Sequence, residues 1–257
     1  MSRTPTGDER RPQPAKKSLL LAQDIVRNLV DDGTAPGARL PPESEMIERY
    51  GVARSTTREA LRLLETQGVI SIRTGPNGGP VVSELDARPM AGNIALLLEI
   101  VGSTFRSVID ARMVVEPPIA ARAAEVADAQ LCERLERNVA AMAATSDALL
   151  ATTELSAEFH DLVAASSTNP LLAFLLKALH HVTVPYVAQV TFAPSDLADL
   201  VRSHTLLADA IVRGDADAAG RAMRADIVLF CCLVDRTRPE LWDAPIHWSD
   251  VNEGRAL

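Results

Sequence analysis

Cysteine, aromatic side chains and long hydrophobic runs are all scarce in this sequence. Its three cysteines, Cys132, Cys231 and Cys232, cannot build a disulfide framework, and none sits in a Cys-x-x-Cys spacing, so buried, reduced thiols are expected. Aromatics make up only 4% of the 257 residues while alanine and leucine abound, which favours helix over sheet. The apolar stretch 94–101 is broken at Glu99 and falls well short of the roughly 20 residues of a membrane span. Residues 1–17 hold basic side chains but no apolar stretch with a small-residue cleavage site, so no secretory signal is visible. A cytoplasmic protein without a membrane anchor is expected.

An excess of positive charge is also missing. With 26 Lys+Arg against 34 Asp+Glu the net charge is −8, which for the chain as a whole disfavours nucleic acid. The average hides a division. Residues 1–85 hold 12 basic against 11 acidic side chains, and residues 86–257 hold 14 against 23. Only the first part is electrostatically suited to a polyphosphate.

A chain of this length has room for one large domain or two ordinary ones. Residues 1–17 are polar and rich in Pro and Arg, and read as a disordered arm. Leu21, Ile25 and Leu29 recur at helical spacing over residues 18–31, and Gly33 supplies the stop. After the turn at Pro36-Gly37, a short helix is expected over 43–50, a tight turn at Gly51-Val52 and a second helix over 55–67. The pattern Thr56-x-x-Glu59 reads as its capping box. The period then turns extended at 69–73, breaks at the Gly/Pro/Asn-rich tip 74–80 and returns at Val81-Val82, a small hairpin. Two short helices and a hairpin make a winged helix-turn-helix over 18–83, followed by a linker at 84–89. From 90 to 237 the patterns are helical throughout, at about 90–101, 104–126, 128–146, 151–166, 170–192, 195–213 and 215–236. Asn169-Pro170, Ala193-Pro194 and Gly214-Asp215 punctuate the last four, and Pro185 marks a kink. The fold class is therefore mainly α: an N-terminal winged helix-turn-helix with a small β hairpin, then an antiparallel all-helical bundle. The tail 238–257, with Trp242 and Trp248, is too polar for its pattern to define an element.

The stretch from Pro36 to Arg62 carries the chemistry of the first part. Leu61 and Leu64 can face the first helix, which leaves Arg54, Ser55, Thr56 and Arg58 around a helix N-terminus. Free backbone N–H groups there attract phosphate, and arginine can bond a guanine edge bidentately. Hydroxyls suit the phosphate contacts that fix register, and the glycine-rich tip can bring wing backbone close to a groove. The Leu40-Pro41-x-Glu43 turn, the Val52-x-Arg54-Ser55-x-x-Arg58-Glu59-Ala60-Leu61 helix and the glycine-rich wing resemble the GntR family of bacterial transcription regulators. The resemblance implies DNA contacts at Arg54, Ser55, Thr56, Arg58 and Gly75. Two positions depart from the family pattern: Ser44 replaces an arginine that touches DNA in many members, and Ala53 replaces a Ser or Thr before the motif arginine.

The second part resembles the FadR-like branch, through Arg112-x-x-x-Glu116, Phe159-His160, Asn169-Pro170 and Ser203-His204 leading to Gly214-Asp215. That likeness implies an all-helical FCD-type domain that binds an effector and forms a homodimer. Many such domains hold a divalent metal through an aspartate and three histidines. Here His160 and His204 match, Ser156 occupies the aspartate position, and Asp226 occupies the last histidine position. Two histidines and a carboxylate still make a first shell for Zn, Ni or Mn. His180-His181 reads as half-buried bundle surface from which either ring could replace a missing ligand. Arg112 suits an effector carboxylate, since its planar fork matches that group, or an internal salt bridge to Glu116 at i+4.

These features together imply a ligand-responsive repressor, not an enzyme, released from a palindromic double-stranded DNA operator by a small organic acid. The proposed effector residues are Arg112, His160, His204 and Asp226. A constitutive or metal-independent regulator with a degenerate pocket is the alternative. A metalloenzyme using His160, His204 and Asp226 would lack any catalytic motif beyond its ligands.

Overall fold

In the computed structural model, which describes residues 14–75, 78–84, 86–145, 149–166 and 168–252, the first apolar stripe forms α1 (Pro14–Asp31). The helix therefore starts within the segment read from sequence as an arm; residues 1–13 and 253–257 lie outside the described residues. Two compact units follow from the chain's contacts, Met1–Pro89 and Met90–Leu257.

In the first unit, α2 (Glu43–Tyr50) ends at Gly51, whose φ of 61° suits a residue without Cβ, and α3 (Arg54–Thr66) begins after Ala53. Leu21, Ala22 and Ile25 of α1 meet Met46, Ala60, Leu61 and Leu64 in one core, closed below by Ile70. β1 (Ile70–Arg73) and β2 (Gly79–Val82) pair antiparallel, with Ile70 opposite Val82 and Arg73 opposite Gly79. The turn after Pro36 contributes more than its sequence suggested. Residues 37–40 run along the outer edge of β2, with Leu40 N–H donating to Pro80 O at 2.9 Å and Arg39 bridging Val81.

The expected capping box at Thr56 is not formed. The helix starts at Arg54, so Thr56 sits at the third helical position and the cap is Ala53, three residues earlier, which has no side-chain acceptor. Arg88 and Pro89, read as linker, belong instead to the first turn of α4 (Arg88–Ile100), where Asp86 Oδ1 accepts from Arg88 N–H at 2.9 Å.

The second unit is an antiparallel bundle of α5 (Phe105–Val126), α6 (Ala129–Ala144), α7 (Leu149–Ser166), α8 (Pro170–Val187), α9 (Pro194–Val212) and α10 (Ala216–Thr237). Its punctuation is local. Asp128, Asn169 and Asp215 accept first-turn N–H groups of α6, α8 and α10, and Asp196 reaches back to Ala193 N–H at 2.7 Å. Helices α5 and α10 pack intimately; a Cβ on Gly220 would come within 3.3 Å of the Pro117 carbonyl. Helix α8 stops at Val187, five residues before its sequence pattern fades, with Pro185 inside its last turn. Its 18 residues have a mean hydropathy of 1.2, long and apolar enough to cross a membrane by length and composition, although no apolar run of that length stood out in the sequence. In the fold its face Leu176, Leu179, Val182 and Tyr186 is buried in the bundle.

The polar tail docks. A 3-10 turn (Pro239–Asp243) buries Leu241 and Trp242, whose indole stacks on Phe105 and donates to Asp235 at 2.6 Å. Beyond it Tyr186 donates to Pro245 O at 2.9 Å, Ile246 is fully buried, and α11 (Trp248–Asn252) starts on a backbone bond to Glu99.

Candidate functional site

Two sites take shape, one in each unit. In the first, the N-terminus of α3 has no side-chain cap and no acidic residue in its first turn. Its leading N–H groups therefore keep their hydrogen-bonding capacity and the positive end of the helix dipole is uncompensated. Arg54, Ser55 and Arg58 are exposed there and Thr56 is half-buried, while Thr57 faces the core and donates to Ala53 O at 3.4 Å. Arg58 Nε is held by Glu43 of α2 at 3.0 Å, in the open. Gly75 begins the wing turn at φ 109°, and Gly78 N–H closes it on Gly75 O at 2.8 Å; Pro76 and Asn77 lie outside the described residues. Ser44, the family departure on α2, is exposed.

In the second unit, five helices deliver polar side chains to one buried place. Arg112 and Glu116 come from α5, Ser156 and His160 from α7, His180 from α8, His204 from α9 and Asp226 from α10. The spacings 112/116 and 156/160 put each pair on one helix face. Glu116 and His204 are fully buried, and His160, His180 and Asp226 nearly so. Glu116 is the hub: Arg112 Nε donates to Oε1 at 2.5 Å, His180 Nε2 lies 3.1 Å from the same oxygen, and His160 Nδ1 lies 3.1 Å from Oε2. On its other side His160 Nε2 is 3.3 Å from Asp226 Oδ2, and His204 Nδ1 is 3.4 Å from Asp226 Oδ1. Arg112 thus realises the internal salt bridge weighed in the sequence, while still lining the cavity above the cluster. Glu116 and His180 were not among the proposed site residues. The signals were present: Glu116 falls at i+4 from Arg112, and His180 shares a helix face with the apolar Leu176, Val184 and Val187.

Burial by itself would raise the Glu116 carboxyl, but Arg112, His180 and His160 hold it well below the carboxylate range. Burial likewise opposes charge on His160, yet Asp226 and Glu116 on either side outweigh it and lift this imidazole to about 9. Asp226, against its own desolvation, is held to about 2 by His204 and His160. His204 goes the other way: burial, aided by the neighbouring His160, depresses it despite Asp226, so it is neutral near pH 7. Metal-free protein is accordingly expected to lose stability as pH rises from 6.5 to about 9, where unfolded His160 has released the proton that the folded residue keeps. Below 6.5 the depressed His204 acts in the opposite sense, losing stability as pH falls. Urea denaturation in chelator across this range measures it; an alkaline decline that persists undiminished in His160→Asn would disprove the assignment.

The donor set fits a divalent cation. The ligand atoms of His160, His204 and Asp226 lie within 4.8 Å of one another, as do those of Glu116, His160 and His180. Within this cluster four buried atoms lack an aligned hydrogen-bond partner: Glu116 Oε2, His160 Nδ1, His180 Nδ1 and Asp226 Oδ1. Such atoms are costly unless something else satisfies them. The His204 Nδ1–H donates to Leu200 O at 2.9 Å, which leaves the Nε2 lone pair facing Ser156 Oγ at 3.3 Å. Over the cluster opens a cavity of about 330 Å³, lined among others by Arg112, Ser156, His160, His180 and Asp226.

Comparison with known proteins agrees with both units. Residues 18–77 match the model of bacterial regulatory proteins, gntR family, and residues 107–228 match the FCD domain. The HTH-type transcriptional regulator YieP of Escherichia coli (strain K12) is 28% identical over 214 residues, 81% of this chain and 91% of that protein. The HTH-type transcriptional repressor NanR of Enterobacter sp. (strain 638) is 27% identical over 235 residues, 85% of each chain. The solved structure of Streptococcus agalactiae GntR superposes with a TM-score of 0.62 at 24% identity, over 82% of this chain and 97% of that one, a likeness of fold.

Proposed function

This chain belongs to the gntR family of bacterial regulatory proteins and carries an FCD domain, so it is a DNA-binding transcription regulator rather than an enzyme, and we propose that it is a cytoplasmic, homodimeric repressor released from a palindromic operator by a small organic acid. The observation that carries the regulatory half is the cavity whose floor is the incompletely paired His/carboxylate cluster. Repression is supported by the likeness to NanR of Enterobacter sp., a relative named as a transcriptional repressor.

Each half has assigned residues. Arg54, Ser55, Thr56 and Arg58 at the uncapped end of α3, with Gly75 in the wing, contact the operator. Two heads related by a two-fold axis read two half-sites. In the helical unit His160, His204 and Asp226 hold a divalent ion of the Zn, Ni or Mn class, with Arg112 beside them at the effector. Glu116 stands behind His160 at Nδ1, which leaves Nε2 on the Asp226 side as the ligand atom. When bound, such an ion supplies Lewis-acidic positions that an effector carboxylate can occupy. Release from DNA then requires only that the effector bind better to the arrangement of the heads that fits the operator poorly.

The test is elemental analysis of wild type and His204→Ala beside operator binding by both. The expected result is about one metal per chain in wild type, none in the variant, and unchanged operator binding by the variant without effector. Metal retained by His204→Ala would overturn the ligand assignment.

A further inference from the structure

Building on the effector site just described, we infer that the effector is a carboxylate with an apolar body, an aliphatic or aryl monocarboxylate rather than a polyhydroxylated or polycarboxylic acid. The cavity has a polar floor and an apolar wall, and helix geometry separates the two. On α8, Val184 and Val187 stand one and two turns beyond His180, about 6 and 10 Å along the axis at 1.5 Å per residue. On α9, Leu200 stands one turn from His204, and Phe192 lies just ahead of the helix. On α10, Ile227 adjoins Asp226 and Phe230 lies one turn further. Three helices thus rise from the floor presenting hydrocarbon.

Above the floor, hydroxyls and acid are confined to Thr183 and to the α7 side, where Thr153, Glu154 and Ser156 join the lining and Ser156 Oγ lies 3.3 Å from His204 Nε2. The Thr183 side chain already donates to the His180 carbonyl at 2.8 Å, and Glu154 is an exposed acid that would repel a second carboxylate. Arg112 is the sole guanidinium or ammonium among the residues lining this cavity, and Glu116 holds its Nε. A sugar acid would bury hydroxyls against the hydrocarbon of α8, α9 and α10, which is costly, and a polycarboxylate would find no second guanidinium or ammonium on the lining. A volume of about 330 Å³ corresponds to roughly eleven water volumes of about 30 Å³, room for one carboxylate and a body of roughly six to eight carbons.

Calorimetric titration of the intact chain with the linear acids butanoate, hexanoate, octanoate and decanoate, and with gluconate and citrate, decides the question. Burial of each methylene, about 0.8 kcal/mol at 1.4 kcal/mol per tenfold, should tighten binding about fourfold per carbon until the cavity is full. Gluconate and citrate are expected to bind more weakly than octanoate. Phe192→Ser, in a half-buried position outside the helices, should cut the octanoate-to-butanoate affinity ratio at least threefold. The nearly isosteric Val187→Thr should do the same if the first variant does not fold. Tighter binding of gluconate or citrate than octanoate, or affinity independent of chain length, would overturn the apolar class while leaving a carboxylate effector standing. Binding of no acid from either group would overturn both the class and the effector site itself.

Discussion

Replacing Glu116 by alanine is expected to lower the unfolding free energy of the helical unit by about 3–5 kcal/mol, the usual cost of removing one partner from a buried ion pair. The reason is its position as hub. Arg112, with a side chain only 11% exposed, would keep its charge without the carboxylate that balances it. His160 would be left with Asp226 alone, and His180 without its nearest acceptor. For a unit of this size, at about 2–4 °C per kcal/mol, the melting temperature should fall by roughly 6–20 °C. The loss comes from the stranded charge rather than from the missing contact, so Arg112→Met combined with Glu116→Leu should recover most of it. A melting temperature within about 2 °C of wild type for Glu116→Ala alone would show that the cluster does not depend on this carboxylate.

Arg58→Ala should weaken operator binding at least tenfold, about 1.4 kcal/mol or more, with little change in stability. The ion pair with Glu43 is exposed on both sides and worth at most about 1 kcal/mol to the fold. That pair engages Nε and holds the side chain between α2 and α3, leaving the terminal nitrogens to reach a base edge or phosphate. Fluorescence anisotropy on a duplex selected by the wild-type protein gives the affinity, and repeating it across salt concentrations separates the two kinds of contact. A lost base contact weakens the selected site more than an unrelated duplex and leaves the salt slope alone. A lost phosphate contact weakens both and lowers the slope by about one. Wild-type affinity in a folded variant would remove Arg58 from the interface.

The winged head could be read almost element by element because its signals are local. The stripe Leu21, Ile25, Leu29, the glycine at 51 and the change of period after Gly68 each act over a few residues, and each appears where its spacing placed it. The Thr56 capping box failed where local signals left a choice. The observed cap is Ala53, with Thr57, Ala60 and Leu61 buried on the face that follows it. The pairing of residues 37–40 with β2 left no pattern, since three residues after a turn are too few to show a period. The tail stayed open in the sequence: its polar residues hide Leu241, Trp242 and Ile246, three buried anchors spaced too irregularly for either period.

The sequence by itself determined the class of protein, the exposed polar residues at the start of α3 and the presence of histidines and an acid on successive helices, because helix periodicity and turn chemistry are written within a few residues. Tertiary structure alone decided that Glu116 would stand between Arg112, His160 and His180, the last of them 64 residues away. It also decided that His204, 48 residues from Ser156, would turn its free nitrogen toward that hydroxyl, and that Val184, Leu200 and Phe230 from three helices would line one cavity. Which faces meet depends on how five helices pack, and packing is a sum over contacts between residues distant in the chain, so no local pattern records it.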